Sequence, residues 1–153
     1  TIKKHFPEVQ TFRNCTEKMI VSLEKELGEL IFKRCLFVVR EIQRVQDAVD
    51  AIEQKDFKKL GELMTQTHHG LSKNYEVSCD ELDFLVDCVA KNETVLGSRM
   101  MGGGFGGCTI NLVKKGTEND LINEVSSLYK SKFGIDLKPY KIKISKGTSE
   151  YKS

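Results

Sequence analysis

The sequence predicts an α+β domain, with helices packed on one face of a mostly antiparallel sheet. Three observations carry that expectation. Apolar residues recur at spacings of three and four as far as Val89, the period of an amphipathic helix. Past Gly97 the period switches to two, the signature of a strand. The chain has 153 residues, 39% of them hydrophobic and 30% charged, enough to bury one core without disulfides or metal.

The elements follow in order. A first helix is predicted over Glu17–Leu27, ending near Gly28. From Phe32 onward Cys35, Val38, Val39, Ile42, Val45, Val49 and Ile52 form one apolar stripe, predicted to be buried. Asp56 is placed to cap a helix carrying Phe57, Leu60, Leu63, Met64 and Leu71, with Gly70 at its frayed end. Ser78 followed by Glu81 fits a capping box, opening a helix with Leu82, Leu85, Val86 and Val89 on one face. Val95–Met101 and Cys108–Val113 read as the arms of a hairpin. Thr117 and Asp120 open a helix carrying Leu121, Val125, Tyr129 and Phe133, with Gly134 as its C′ residue. Tyr140, Ile142 and Ile144 alternate with Lys141 and Lys143 as a last strand. The order is therefore several helices, then β–β–α–β.

Composition removes several function classes. Net charge is +2, with 24 basic and 22 acidic residues, which argues against bulk nucleic-acid binding. The one basic cluster, Lys138, Lys141, Lys143 and Lys146, reads as the wet face of the last strand. No apolar run approaches the ~18 residues of a membrane span, and no signal peptide is visible. Cys15, Cys35, Cys79, Cys88 and Cys108 are odd in number and lack any C-x-x-C spacing. They read as reduced thiols of a cytoplasmic protein rather than a zinc site or a disulfide framework. His68 and His69 are adjacent and diverge on a helix, which suits no shared metal. The chain begins at Thr1, and reads as a piece of a longer protein.

One segment demands a chemical explanation. Of the 12 glycines, six fall between Gly97 and Gly107, and Gly102, Gly103, Gly104, Gly106 and Gly107 surround a single Phe105. Each glycine costs roughly 0.5–1 kcal/mol relative to Ala in regular structure. Five therefore cost a few kcal/mol against a total stability of about 5–15 kcal/mol. Glycines let successive backbone N–H groups line an anion-binding concavity. The alternative is a bulged hairpin turn. Gly102, Gly104 and Gly107 satisfy G-x-G-x-x-G, but a strand follows where a dinucleotide fold needs a helix. Cys108 stands where a P-loop requires Lys, and Gly-Phe-Gly lacks the second aromatic of an RNA-binding strand.

At this loop the sequence resembles the GHMP small-molecule kinases, and within them the galactokinases. The third motif of that family reads approximately G-[SA]-R-M-T-G-G-G-F-G-G-C, and Gly97–Cys108 matches it except at Met101. The stretch HHGLSKNYEVSCDELDFLV, His68–Val86, is similar to S-H-x-S-L-R-D-D-Y-E-V-S-C-P-E-L-D. FKRCLFVVREIQRV, beginning at Phe32, resembles R-R-A-R-H-V-V-x-E-x-x-R. The resemblance covers roughly residues 11–151, in order and with agreeing spacing.

The resemblance implies a ferredoxin-like plait, the family's C-terminal domain, occupying residues 1–153 as a single unit. It implies transfer of the ATP γ-phosphate to the 1-hydroxyl of galactose, with Mg²⁺, in a cleft between two domains. The sugar-binding first motif, the phosphate loop and the Asp base lie upstream in the family and have no counterpart here. The chain is thus expected to carry no catalytic residue, to bind no metal itself, to pack on an N-terminal domain and to be inactive alone. The resemblance places Gly102, Gly103, Gly104, Phe105, Gly106 and Gly107 beside substrate or phosphate, with Arg99 and Met101 as further candidates. Phe105 either packs the loop against the other domain or enters the core, and Arg99 is either a phosphate contact or a sheet-face charge. Tyr75, Glu76, Ser78 and Cys79 read as structural: a turn, a cap and a buried thiol. Two other readings are an N-acetylgalactosamine kinase and a sugar-responsive regulator of the same family. A free-standing binding module is a third.

Overall fold

The computed structural model describes residues 1–145, 147, 149 and 150. Its elements are α1 (Ile2–His5), α2 (Glu17–Ser22), α3 (Glu24–Leu27), α4 (Glu29–Glu53), α5 (Phe57–Gly70), α6 (Asp80–Val89), β1 (Val95–Met101), β2 (Cys108–Val113) and α7 (Glu118–Phe133). A 3₁₀ turn at Phe12–Asn14 precedes α2, and a π-helical turn, Leu71–Tyr75, prolongs α5. The architecture is α+β: α5 and α6 pack against an antiparallel hairpin, α4 packs on α5, and α2 and α3 pack on α4.

Locally encoded features form as predicted. The Asp56 carboxylate accepts the Lys59 N–H at 2.9 Å and starts α5. Gly134, at φ +70°, ends α7 with its N–H on the Lys130 carbonyl. The hairpin pairs Met101 with Cys108 and Val95 with Val113, with one irregularity between Val95 and Gly97. Leu85 and Val89 of α6 pack on Leu121, Val125 and Tyr129 of α7, and Val95 and Val113 close that core from the strands.

Five expectations need correction. The helix predicted over Glu17–Leu27 breaks at Leu23, where Ile20 and Leu23 turn into the core and Ser22 Oγ bonds back to the Met19 carbonyl. On α4 the covered face carries Phe37, Val39 and Ala51, with Glu41 accepting the Thr67 hydroxyl of α5 at 2.6 Å. The apolar stripe Ile42, Val45, Val49 and Ile52 is exposed, because periodicity marks an apolar face without supplying what covers it. Gly70 is no frayed end: it is buried, and a Cβ there would lie 2.3 Å from the Phe37 ring. Ser78 caps nothing; its hydroxyl goes to Asp83, and Cys79 is the N-cap residue of α6, with no side-chain bond to the helix backbone.

The last correction concerns the sheet. It has two strands among the described residues, and 140–144 is not a third: Tyr140, Ile142 and Ile144 are exposed. Alternation shows which residues share a face, but a ladder also needs backbone bonds, and among the described residues none joins 140–144 to β1 or β2. The outer edge of β1 is taken by α5, whose Thr65 Oγ1 accepts the Ser98 N–H at 3.4 Å and whose His68 Nδ1 accepts the Met100 N–H at 3.2 Å. A helix laid along an edge hides it from other strands. Lys138, Lys141 and Lys143 therefore lie on an exposed segment rather than a strand face, and Lys146 lies outside the described residues. No helix of the described residues is long and apolar enough to cross a membrane.

Candidate functional site

The six residues between β1 and β2 turn on an unusual backbone. Gly102, Gly104, Gly106 and Gly107 have φ of +93°, +90°, +138° and +105°, and Phe105 joins them at +58°. Non-glycine residues seldom take that region, so Phe105 must be held there. Its N–H donates to the Val77 carbonyl at 2.8 Å, and Gly104 lies against the same carbonyl with no room for a side chain. The Phe105 ring is 76% exposed, which excludes the core alternative. Among the described residues the N–H groups of Gly102, Gly103, Gly104, Gly106 and Gly107 have no protein acceptor. Free N–H groups on a curved backbone are suited to an anion. No loop side chain titrates, so the loop can bind and polarise but cannot move a proton.

The seat of the loop is the segment whose motif accompanies it in sequence. Glu76 is left-handed at φ +61°, and it pairs with Lys33 Nζ at 2.9 Å and Arg34 Nη2 at 3.2 Å across on α4. Hydrogen bonds from Lys33 and Arg34 hold its carboxyl below the usual glutamate range. Tyr75 packs on Phe37 with ring centroids 5.5 Å apart and the planes tilted by 38°. Tyr75 and Glu76 thus keep the structural roles predicted for them, whereas Cys79 is half-buried rather than buried. Beside the loop a cleft of about 230 Å³ is lined by Cys79, Leu82, Phe105, Gly106, Gly107 and Tyr129.

Arg99 is half-buried in mid-strand opposite Ile110, and no carboxylate of the described residues pairs with it. Met101 closes β1 opposite Cys108 and is 45% exposed. A Met101→Thr change should therefore leave stability within about 0.5 kcal/mol, read from thermal melts.

Sequence reasoning missed the partner of His68. The imidazole is 1% exposed. Its Nδ1 accepts the Met100 N–H, so the ring proton sits on Nε2, 3.2 Å from Asp83 Oδ1. Asp83 also accepts the hydroxyls of Ser78 at 2.5 Å and Ser72 at 2.7 Å, with Lys73 at 3.8 Å. Asp83 matches the final D of the family pattern S-H-x-S-L-R-D-D-Y-E-V-S-C-P-E-L-D, the one signal that pointed to it. Burial lowers the His68 pKa, against the pull of Asp83. Burial pushes the Asp83 carboxyl up, but the two hydroxyls, His68 and Lys73 outweigh it, and the net direction is down. Both groups lose their stabilising contribution as pH falls. For His68 the contribution is full above the unfolded value of about 6.5 and declines below it, while that of Asp83 declines below about 4. The melting temperature should therefore be level from pH 8 to 7 and fall on acidification below about 6.5. His68→Asn should flatten the upper part of that fall.

Known proteins resemble this chain in sequence and in fold. The family described as "GHMP kinases C terminal" matches residues 48–131. The galactokinase of Thermotoga maritima is 41% identical over 143 residues, 94% of this chain and 40% of that protein. That of Thermotoga petrophila is 42% identical over 141 residues, 92% of this chain and 39% of that one. The crystal structure of Lactococcus lactis galactokinase complexed with galactose superposes with a TM-score of 0.81 at 30% identity, over 88% of this chain and 36% of that one. The chain thus spans about two fifths of the length of the curated relatives it matches. In sequence and in fold, it belongs to the GHMP kinase family and carries that family's C-terminal domain.

Proposed function

We propose that residues 1–153 are one domain, the C-terminal part of a galactokinase that transfers the ATP γ-phosphate to the 1-hydroxyl of galactose. The observation that carries the reading is the loop Gly102–Gly107, with its unpaired N–H groups and its fixed seat on Val77. Phosphoryl transfer depends on positioning and charge stabilisation, which backbone dipoles supply without titrating. Gly102, Gly103, Gly104, Gly106 and Gly107 present N–H groups to phosphate or sugar, and Arg99 adds positive charge on the strand behind them. Phe105, exposed at the tip, packs on an N-terminal domain. The galactokinase names of the relatives favour galactose over N-acetylgalactosamine and over a regulatory role.

The free N–H groups fit the phosphates of ATP. The loop itself offers Mg²⁺ no carboxylate, since Gly102–Gly107 carries only glycine and Phe105. Ligands for the ion belong with the other domain. Five cysteines without a disulfide agree with a cytoplasmic setting.

The 153 residues alone should give no galactose-dependent ADP formation. The full coding region in which they lie should give it readily, measured in a coupled assay. Turnover by the isolated chain, or a full-length protein that ignores galactose, would overturn the reading.

A further inference from the structure

The glycine loop is fixed at two points that lead to the same carboxylate. At its base, the Met100 N–H is held by His68 Nδ1, and His68 Nε2 faces Asp83 Oδ1. At its tip, the Phe105 N–H is held by the Val77 carbonyl. Val77 is bracketed by Ser72 and Ser78, whose hydroxyls bond the two oxygens of Asp83, and its own N–H donates to the Leu71 carbonyl. Asp83 therefore ties α5, the π-turn and α6 together, and β1 through His68. His68 is 1% exposed, and both Asp83 oxygens are already engaged by Ser72, Ser78 and His68, so neither group is offered to a substrate at the loop.

We propose that Asp83, acting through His68 and through the Ser72–Ser78 segment, is the positioning residue that sets the glycine loop for phosphoryl transfer. The kinetic half of this proposal rests on the galactokinase reading; the mechanical half does not. A carboxylate with three hydrogen-bond donors fixes three separate backbone segments at once, and removing it releases base and tip together. Loop placement matters because a misplacement of about 1 Å can cost ~100-fold in rate.

The test has two arms. In the 153-residue chain, amide hydrogen exchange is followed at Met100, Phe105 and, in the distant α6–α7 core, Val125. Asp83→Ala should speed exchange at Met100 and Phe105 more than tenfold beyond any change at Val125. Asp83→Asn, which keeps the shape and one acceptor oxygen, should restore part of the protection. Equal acceleration at all three amides would mean that Asp83 only stabilises the fold, and overturns the proposal. Should Asp83→Ala fail to fold, acid titration of the unaltered chain decides. The Met100 and Phe105 amide signals should move with the midpoint of the His68 ring, and separate midpoints overturn the proposal. Asp83 and Asp87 from α6 and His69 from α5 face the ring, and Lys73 of the π-turn faces Asp83. The ring signals of His69 distinguish it from His68. In the full-length protein, Asp83→Ala should lower kcat more than tenfold with the KM for galactose within twofold. An unchanged kcat beside a loosened loop overturns the positioning role. A full-length protein without galactokinase activity would instead defeat the function reading and leave the exchange result standing.

Discussion

Gly104→Ala is expected to lower kcat of the full-length protein by about 100-fold while the fold survives. The backbone at Gly104 has φ +90°, and an added Cβ would lie 2.0 Å from the Val77 carbonyl oxygen. A carbonyl in a hydrogen-bonded seat cannot swing aside as a flexible side chain would. The loop must lift instead, which breaks the Phe105 N–H bond to Val77 and displaces every free N–H beside it. A left-handed alanine costs on the order of 1–3 kcal/mol, and an exposed loop can relieve part of that by moving. The melt should therefore shift by only a few degrees while activity collapses. Gly103→Ala is the matched control. Gly103 is not among the positive-φ residues, and nothing lies within 4 Å of the Cβ it would gain. Its stability should stay within about 0.5 kcal/mol. If Gly104→Ala kept full activity, the Val77 seat would have no part in placing the loop.

The contrast between these two glycines shows what the sequence could and could not reveal. Five glycines in six positions announce a loop with special backbone, and the alternating arms on either side announce the hairpin that carries it. Asp56 and Gly134 were readable for the same reason: a cap acts on residues three or four away. What lies across space was not readable. Nothing in the string says that Gly104 meets Val77, twenty-seven positions earlier in number but adjacent in the fold, or that His68 reaches Asp83. Ser78 illustrates the competition. Its spacing to Glu81 is that of a capping box, yet Asp83 offers a charged acceptor already gathering two other donors, and a charge-assisted bond outweighs a neutral cap. The exposed stripe Ile42, Val45, Val49 and Ile52 and the unpaired segment 140–144 fail for a related reason. Periodicity describes an element by itself, whereas burial and pairing are properties of two elements.

Gly61→Ala is expected to destabilise the chain by about 3 kcal/mol, a loss of ~10 °C in melting temperature. The sign runs against local preference, since glycine to alanine inside a helix ordinarily stabilises by roughly 0.5–1 kcal/mol. Gly61 is buried in α5 and touches β1 backbone to backbone: an added Cβ would lie 2.0 Å from the Leu96 carbonyl oxygen and 2.9 Å from the Gly97 nitrogen. Seen from the strand, a Cβ on Gly97 would lie 2.1 Å from the Gly61 carbonyl oxygen. Two main chains meet here, so neither can yield locally, and α5 must move off the strand edge. That movement strips the Ser98 and Met100 N–H groups of their acceptors on Thr65 and His68. Two buried donors without partners then add to the steric cost. Gly97→Ala should cost a similar amount. The double variant should cost clearly less than the two together, because the separation that admits one methyl also admits the other. Gly28→Ala, with open space around its added Cβ, should cost only about 1 kcal/mol, from its positive φ alone. Strictly additive losses at Gly61 and Gly97 in chemical-denaturation melts would show that the two glycines do not share one contact, and that α5 is not held on the edge of β1 by this close approach.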